Sequence, residues 1–383
     1  MQAPIAMTNL AHIHALLPKS RLQNVELDQA ENIFISQVGS DSRHLEAGEL
    51  FVALRGERFD AHQFLESVQK QGASAALISE QSLCPSTFPA VYVSDTRKSL
   101  GELARAWRQQ FSIPLVVVTG SNGKTTVKEM IASIFREAAG SSHTLVTEGN
   151  FNNDIGLPLT LLKLRPDHRL AVIELGMNHP GETSELAEIA LPTITLINNA
   201  QREHQEFMHS VEAVARENGA VLQALPPDGV AVFPADDTYA GLWAEMAGTR
   251  RVLSFAHPAD PQVHASAARA DVIAQAQWRA DHWQLQIQTP EGELAVSLHI
   301  AGLHNVRNAL AACACSIAVG VPLQAIAQGL SAFRPVSGRS RLTTARLHGQ
   351  AITLVDDTYN ANPDSVRAAI AERGLYRSEA VAE

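Results

Sequence analysis

Gly120-Ser121-Asn122-Gly123-Lys124-Thr125-Thr126 places two glycines, a lysine and two adjacent threonines in one short run. The apolar segment Ile113-Pro-Leu-Val-Val-Val-Thr119 precedes it and a helical pattern, Val127 to Glu137, follows. Strand, glycine loop and helix together make a phosphate cradle: backbone N–H groups converge on phosphate oxygens and the helix N-terminus adds partial positive charge. Lys124 can reach the terminal phosphates, and the Thr125 hydroxyl can hold Mg²⁺. The expected ligand is ATP or GTP. The loop is tighter than the general P-loop pattern, because Val118 stands where that pattern has glycine. The alternative is a chance glycine turn before a helix.

Other strand ends carry chemistry. Glu174 closes the apolar run Leu170 to Glu174, the place where nucleotide-hydrolysing folds set a carboxylate against Mg²⁺; otherwise it is a solvated strand-end charge. Asn199-Ala-Gln-Arg-Glu-His204 leaves the next strand. His204 can ligate a divalent ion or stabilise a transferred phosphate, although a lone histidine reads first as structural. Between these lies Thr147-Glu-Gly-Asn150-Phe-Asn152-Asn153-Asp-Ile-Gly156. Its amides suit a polar ligand and equally suit tight turns.

The elements that position these residues alternate strand and helix. Phe51–Leu54, Ala61–Gln71, Ala75–Ile78, Ala90–Val93 and Arg97–Gln110 predict a small N-terminal α/β domain, the last helix capped by Ser94 or Asp95. A boundary is expected at residues 112/113. A central α/β domain over 113–336 follows, with a mostly parallel sheet whose ligands bind at the strand C-terminal ends. Asp271–Gln277, Trp283–Thr289 and Glu293–Leu298 alternate apolar and polar residues and predict an antiparallel meander. Residues 337–383 begin a third unit with the strand Ala351–Val355.

Composition narrows the class. At 383 residues the chain should hold two or three domains. A net charge of -10, with no clustered Lys and Arg, argues against nucleic acid as the main partner. Cys84, Cys313 and Cys315 give neither a disulfide framework nor zinc spacing, which suits a reducing, cytoplasmic setting. The N-terminus lacks the pattern of a secretory signal. Asn308 to Phe333 carries no charge and is long enough to cross a bilayer. Gly320-Val-Pro322 interrupts it, so two buried helices joined by a turn are expected, with no membrane insertion.

Taken together, Gly120–Thr126, Thr147–Leu162, Ala171–Glu182, Asn198–His204, His304–Leu310 and Val355–Asp364 resemble the Mur ligase family, and the resemblance runs from about Asp41 to Ile370. Within it, the chain is similar to the members that join D-alanyl-D-alanine to UDP-MurNAc-tripeptide in peptidoglycan precursor synthesis. The resemblance implies an ATP-dependent ligase working through an acyl phosphate, with Lys124, Glu174 and His204 catalytic and Mg²⁺ held by Thr125, Glu174 and His204. It places Asn305 and Asn308 near the adenine and Arg339 near the phosphates, although the asparagines could merely stabilise their helix and Arg339 could be a solvated loop charge. It sets Ser42 and Arg43 in the domain that holds the UDP portion; the amides of Asn150, Asn152 and Asn153 are candidate contacts to the same substrate. A monomer is expected.

Two departures stand out. Related ligases commonly carry a carbamylated lysine about fourteen residues beyond the histidine; this chain has Asn218 there, and no lysine follows Lys163. Metal binding without a carbamate is expected, with Glu217 or water in its place. The resemblance implies a third, Rossmann-like domain that receives the dipeptide; after Val336 only 47 residues remain, against on the order of 100 for an average domain, so a truncated third domain is expected. The competing readings are a non-catalytic remnant that binds nucleotide and UDP-muropeptide, and an ordinary P-loop phosphotransferase.

Overall fold

The computed structural model describes residues 6–56, 58–202, 208–256, 270–279, 281–347, 350–359, 366–367 and 370. They form two compact units. The first comprises Met1–Ser112, Thr147–Pro166 and Glu188–Leu191; the second comprises Ile113–Val146, Asp167–Ala187 and Pro192–Glu383.

In the first unit, β1 (Thr8–Asn9) pairs with β3 (Phe34–Ile35), and a five-stranded sheet runs in the order β2 (Arg21–Gln23), β7 (Ala90–Tyr92), β6 (Ala75–Ile78), β5 (Leu50–Val52), β4 (Val38–Gly39). Helices α1 (Leu10–Leu16), α2 (Leu27–Ala30), α3 (Leu65–Gln71) and α4 (Thr96–Arg108) belong to it, with α6 (Gly156–Leu161) returning from later in the chain. Phe51, Leu65, Val68, Ile78 and Phe88 fill its core. The Asp95 carboxylate caps α4 by accepting from the Arg97 and Lys98 N–H groups.

The pattern of alternating elements treats 113–336 as continuous, whereas Thr147–Pro166 packs in the first unit. Long-range bonds explain this. The Trp107 indole N–H on α4 donates to the Leu164 carbonyl (3.2 Å), Arg97 pairs with Asp154, and Arg165 donates to the Ser36 carbonyl (3.0 Å). No local periodicity records such contacts.

The second unit is built on a nine-stranded sheet in the order β16-β15-β14-β13-β12-β11-β8-β10-β9. The strands are β8 (Leu115–Thr119), β9 (Thr144–Val146), β10 (Leu170–Glu174), β11 (Ile194–Ile197), β12 (Val230–Pro234), β13 (Arg251–Ala256), β14 (Val272–Arg279), β15 (His282–Thr289) and β16 (Gly292–Leu298). Strands β8 to β14 pair in parallel, and β14, β15 and β16 form the antiparallel meander. All five residues of β8 and of β12 are buried, as expected for parallel strands covered on both faces. The chain runs from β8 out to the β9 edge and back to β10, then crosses to β11 on the other side of β8. Between β10 and β11, at the C-terminal end of β8, lies the topological switch point where open α/β sheets bind ligands.

The helices are α5 (Lys124–Ala139), α7 (Glu182–Ala190), α8 (Val211–Gly219), α9 (Ala240–Ala247), α10 (Leu303–Val319) and α11 (Leu323–Ala332). The uncharged stretch 308–333 folds as α10 and α11, which pack on α5, and no helix of the described residues is long and apolar enough to cross a membrane. Backbones come close where α11 meets α5: a Cβ on Gly329 would lie 2.4 Å from Ile134 Cα, and the Ser133 hydroxyl donates to the Gly329 carbonyl (2.7 Å). The strand expected at Ala351–Val355 is half of a hairpin, β17 (Arg341–Leu347) with β18 (Gln350–Asp356), which clusters with the second unit.

Phe135 on α5 is fully buried in the core shared by β8, β10, α10 and α11. Phe135→Ala should cost about 3 to 5 kcal/mol through lost burial and an unfilled cavity, read as a lower urea midpoint at unchanged slope; a loss below about 1 kcal/mol would show that α5 is not integral to that core.

Candidate active site

The phosphate loop leaves β8 at Thr119 and enters α5 at Lys124, with Gly120 at φ +130° and Gly123 at φ +78°. Gly123 is needed twice over. Its backbone is left-handed, and a Cβ there would sit 2.7 Å from Asn308 Oδ1 and 2.8 Å from Asn198 Nδ2. No side chain caps α5. Its first-turn N–H groups and the positive end of its dipole therefore point out at the switch point, the arrangement that binds an anion. The Lys124 ammonium folds back over the loop, donating to the carbonyls of Gly120 and Ser121 (3.2 Å to the latter).

Three side chains meet at the first turn. The Thr125 hydroxyl donates to Glu174 Oε1 (3.3 Å), and the Arg339 guanidinium donates to Thr125 Oγ1 (3.1 Å). Glu174 is 3% exposed at the end of β10. A carboxylate and a hydroxyl this close are hard oxygen donors of the kind Mg²⁺ selects. Arg339 lies 4.2 Å over the Tyr359 ring, and its loop is pinned where the Gly338 N–H donates to Asp356 Oδ2 (3.0 Å) and the Ser340 N–H to Asp357 Oδ1 (3.1 Å).

The start of the segment after β11, Asn198 to Gln201, supports the phosphate loop; within the run Asn198–His204, sequence reasoning gave a role only to His204. Asn198 donates to the Asn122 carbonyl (2.8 Å) and to Asn308 Oδ1 (3.0 Å). Asn199 Oδ1 accepts from the Asn122 N–H (2.9 Å), and the Ser121 hydroxyl bonds with the backbone of Gln201. The available signal was the amide run Asn198-Asn199-Ala-Gln201 directly after an apolar strand.

Asn305 and Asn308 are 2% and 5% exposed and continue this ladder. Asn308 donates to Asn305 Oδ1 (2.9 Å), and Asn305 donates to the Ala301 carbonyl (2.6 Å). The N-cap of α10 is Gly302, so neither asparagine caps the helix. Beside them, His304 keeps a partly exposed edge, yet burial pushes its pKa down to about 4 while Asp357 opposes the shift.

The structure thus brings together Gly120 to Thr126, Glu174, Asn305, Asn308 and Arg339. His204 lies outside the described residues. Asn218 is buried on α8, its Oδ1 accepting from the Thr119 hydroxyl (2.8 Å) at the base of the loop. Glu217, expected as one substitute for a carbamate, is committed elsewhere: its two carboxylate oxygens accept from the Gly181 (2.9 Å) and Thr183 (3.0 Å) N–H groups at the start of α7. In the first unit, the exposed Arg43 makes paired bonds to Asp41 (2.9 and 2.8 Å), which hold that carboxyl well below the usual range, and Ser42 is half-buried between them. Asn153 Oδ1 accepts from the Gly156 N–H (2.9 Å), the turn-forming role its type allows. Asn150 is exposed and Asn152 half-buried beside it.

Two family descriptions match the chain: Mur ligase family, catalytic domain, over residues 34–113, and Mur ligase middle domain over residues 118–316. The chain belongs to the Mur ligase family. It is 41% identical over 353 residues to the UDP-N-acetylmuramoyl-tripeptide--D-alanyl-D-alanine ligase of Escherichia coli K12, covering 91% of this chain and 75% of that protein. The ligase of the same name from Bacillus subtilis 168 is 32% identical, with 89% of this chain and 71% of that protein covered. A crystal structure of MurF from Acinetobacter baumannii superimposes with a TM-score of 0.85 at 34% identity, over 96% of this chain and 77% of that one. The Thermotoga maritima MurF ligase in complex with ADP shares the fold, with a TM-score of 0.73 at 24% identity over 88% of this chain and 74% of that chain.

Asn198→Ala removes two hydrogen bonds of about 1 kcal/mol each, one to the Asn122 carbonyl of the phosphate loop and one to the Asn308 side chain that packs against it. Nucleotide binding should weaken about tenfold to thirtyfold with the far-UV circular dichroism unchanged; unaltered affinity by calorimetry would show that the ladder does not set the loop. The unfolded chain protonates His304 near 6.5 and the folded chain only near 4, so this group destabilises the fold as pH falls below about 6.5. Wild type should lose about 1 to 2 kcal/mol more than His304→Gln between pH 7 and 5, allowing for the ring's solvent contact; parallel urea-stability curves would contradict this.

Proposed function

We propose that this chain is an ATP-dependent ligase that joins D-alanyl-D-alanine to UDP-MurNAc-tripeptide, giving UDP-MurNAc-pentapeptide, ADP and phosphate in the cytoplasm. The observation that carries the reading is the meeting of Thr125, Glu174 and Arg339 at the uncapped start of α5, in a chain whose named relatives carry that activity in their names.

A peptide carboxylate has a poor leaving group, so its oxygen attacks the γ-phosphorus of ATP, forming an acyl phosphate and releasing ADP. The dipeptide amine then adds to the carbonyl carbon, and the tetrahedral intermediate expels phosphate. Lys124 turns from its loop carbonyls to the transferred phosphoryl group, and Arg339 neutralises its developing charge. Thr125 and Glu174, with His204, are the residues that would hold Mg²⁺. When bound, the ion supplies charge neutralisation and orientation to the phosphate oxygens. Asn305 and Asn308 lie on the adenine side of the nucleotide. Ser42 and Arg43, with Asn150, Asn152 and Asn153, bind the UDP-muropeptide. In domain terms, 1–112 holds the UDP-muropeptide, 113–336 holds ATP, and 337–383 belongs to the domain that receives the dipeptide.

Phosphate release from ATP should require both UDP-MurNAc-tripeptide and D-alanyl-D-alanine. Nucleotide binding without dipeptide-dependent turnover would favour a binding remnant, and turnover on an unrelated acceptor a phosphotransferase. Lys124→Ala should lower turnover by at least about a hundredfold, and an unchanged rate would remove the site assignment. Added bicarbonate should not stimulate turnover, because Asn218 cannot be carbamylated; strong stimulation would contradict that.

A further inference from the structure

Away from the phosphate loop, the antiparallel meander carries a second cluster of ligating side chains. Trp283 pairs with Leu298 in the β15–β16 register, which sets His282 and His299 opposite each other at one end of the ladder. Their ring centroids are 5.1 Å apart with the planes inclined at 32°. Asp281, in the turn between β14 and β15, brings Oδ1 to 3.0 Å from His282 Nδ1. One ligand atom from each of the three residues lies within 4.8 Å of the other two. We propose that Asp281, His282 and His299 form a binding site for a zinc-type divalent cation, separate from the Mg²⁺ that accompanies ATP.

The donor set selects the ion. Two imidazole nitrogens and a carboxylate oxygen suit Zn²⁺, Ni²⁺, Co²⁺ or Cu²⁺ with water completing the coordination, whereas Mg²⁺ requires oxygens in octahedral array. Tetrahedral zinc with nitrogen ligands near 2.0 to 2.1 Å needs ligand atoms roughly 3.3 Å apart. Rotation of exposed or half-exposed side chains can close the remaining distance without moving the strands. Two positive charges oppose a cation here: Arg334, near enough to act electrostatically on His299, and Arg279, paired with His282 across the β14–β15 ladder; the first makes a test possible. The residues after His299 lead directly into α10, which carries the amide ladder, so an ion at this end of the sheet would brace the strand from which that helix departs.

Zn²⁺ should be titrated calorimetrically into the chelator-treated full chain. One saturable ion per chain is expected, with affinity reduced at least about tenfold in His282→Ala, His299→Ala and Asp281→Asn. Excess Mg²⁺ should not compete. Arg334→Gln, which removes one of the opposing charges, should tighten binding severalfold, an effect that adventitious uptake at other histidines would not show. Co²⁺ should give the visible absorption of a tetrahedral site, lost in the His282→Ala/His299→Ala double variant. If that double variant, shown to be folded by circular dichroism, binds Zn²⁺ as tightly as wild type, or if wild type shows no saturable uptake, the proposal is overturned.

Discussion

The start of α5 is left without a side-chain cap at the point where the central sheet reverses its strand order. As in any helix its first N–H groups have no intrahelical partner, and here no side-chain cap takes them. They are left for solvent or an anion, and that sets the demands on everything nearby. The loop before the helix must turn sharply and pass close to two asparagines, so Gly123 cannot carry a side chain. The strand ends on either side must deliver a carboxylate and donors to the same place, and parallel pairing of β10, β8 and β11 does so in register.

Support comes from amides rather than charges. Asn122, Asn198, Asn199, Asn305 and Asn308 form a connected series from the phosphate loop to the start of α10. Buried amides are costly unless their donors and acceptors are matched, so a matched series holds one geometry against many. For phosphoryl transfer, where catalysis is mostly positioning and charge stabilisation, donors fixed in advance need little reorganisation when charge moves. Arg339 reaches the first turn from a segment distant in sequence, held by Asp356, Asp357 and the Tyr359 ring.

Local pattern made much of this legible. The phosphate loop announces itself by residue type and by its strand and helix neighbours, Glu174 by its place at an apolar strand end, and α10 and α11 by an uncharged stretch broken at Gly320-Val-Pro322. What escaped depends on partners far along the chain. Asn198 looks like an ordinary strand-end residue until Asn308 is brought beside it from α10. Thr147–Pro166 reads as part of the central region until Trp107 and Arg97 are seen to hold it in the first unit. Glu217 was a reasonable substitute for a carbamate by position alone, yet the orphan N–H groups at the start of α7 claim both its oxygens.

The most direct test is a crystal structure of the chain with a nonhydrolysable ATP analogue and Mg²⁺. The account places the β- and γ-phosphates against the N–H groups of residues 123–126, with Lys124 swung onto them and Thr125 and Glu174 facing the metal. Phosphates bound elsewhere, or a filled loop from which Glu174 and Arg339 turn away, would contradict it.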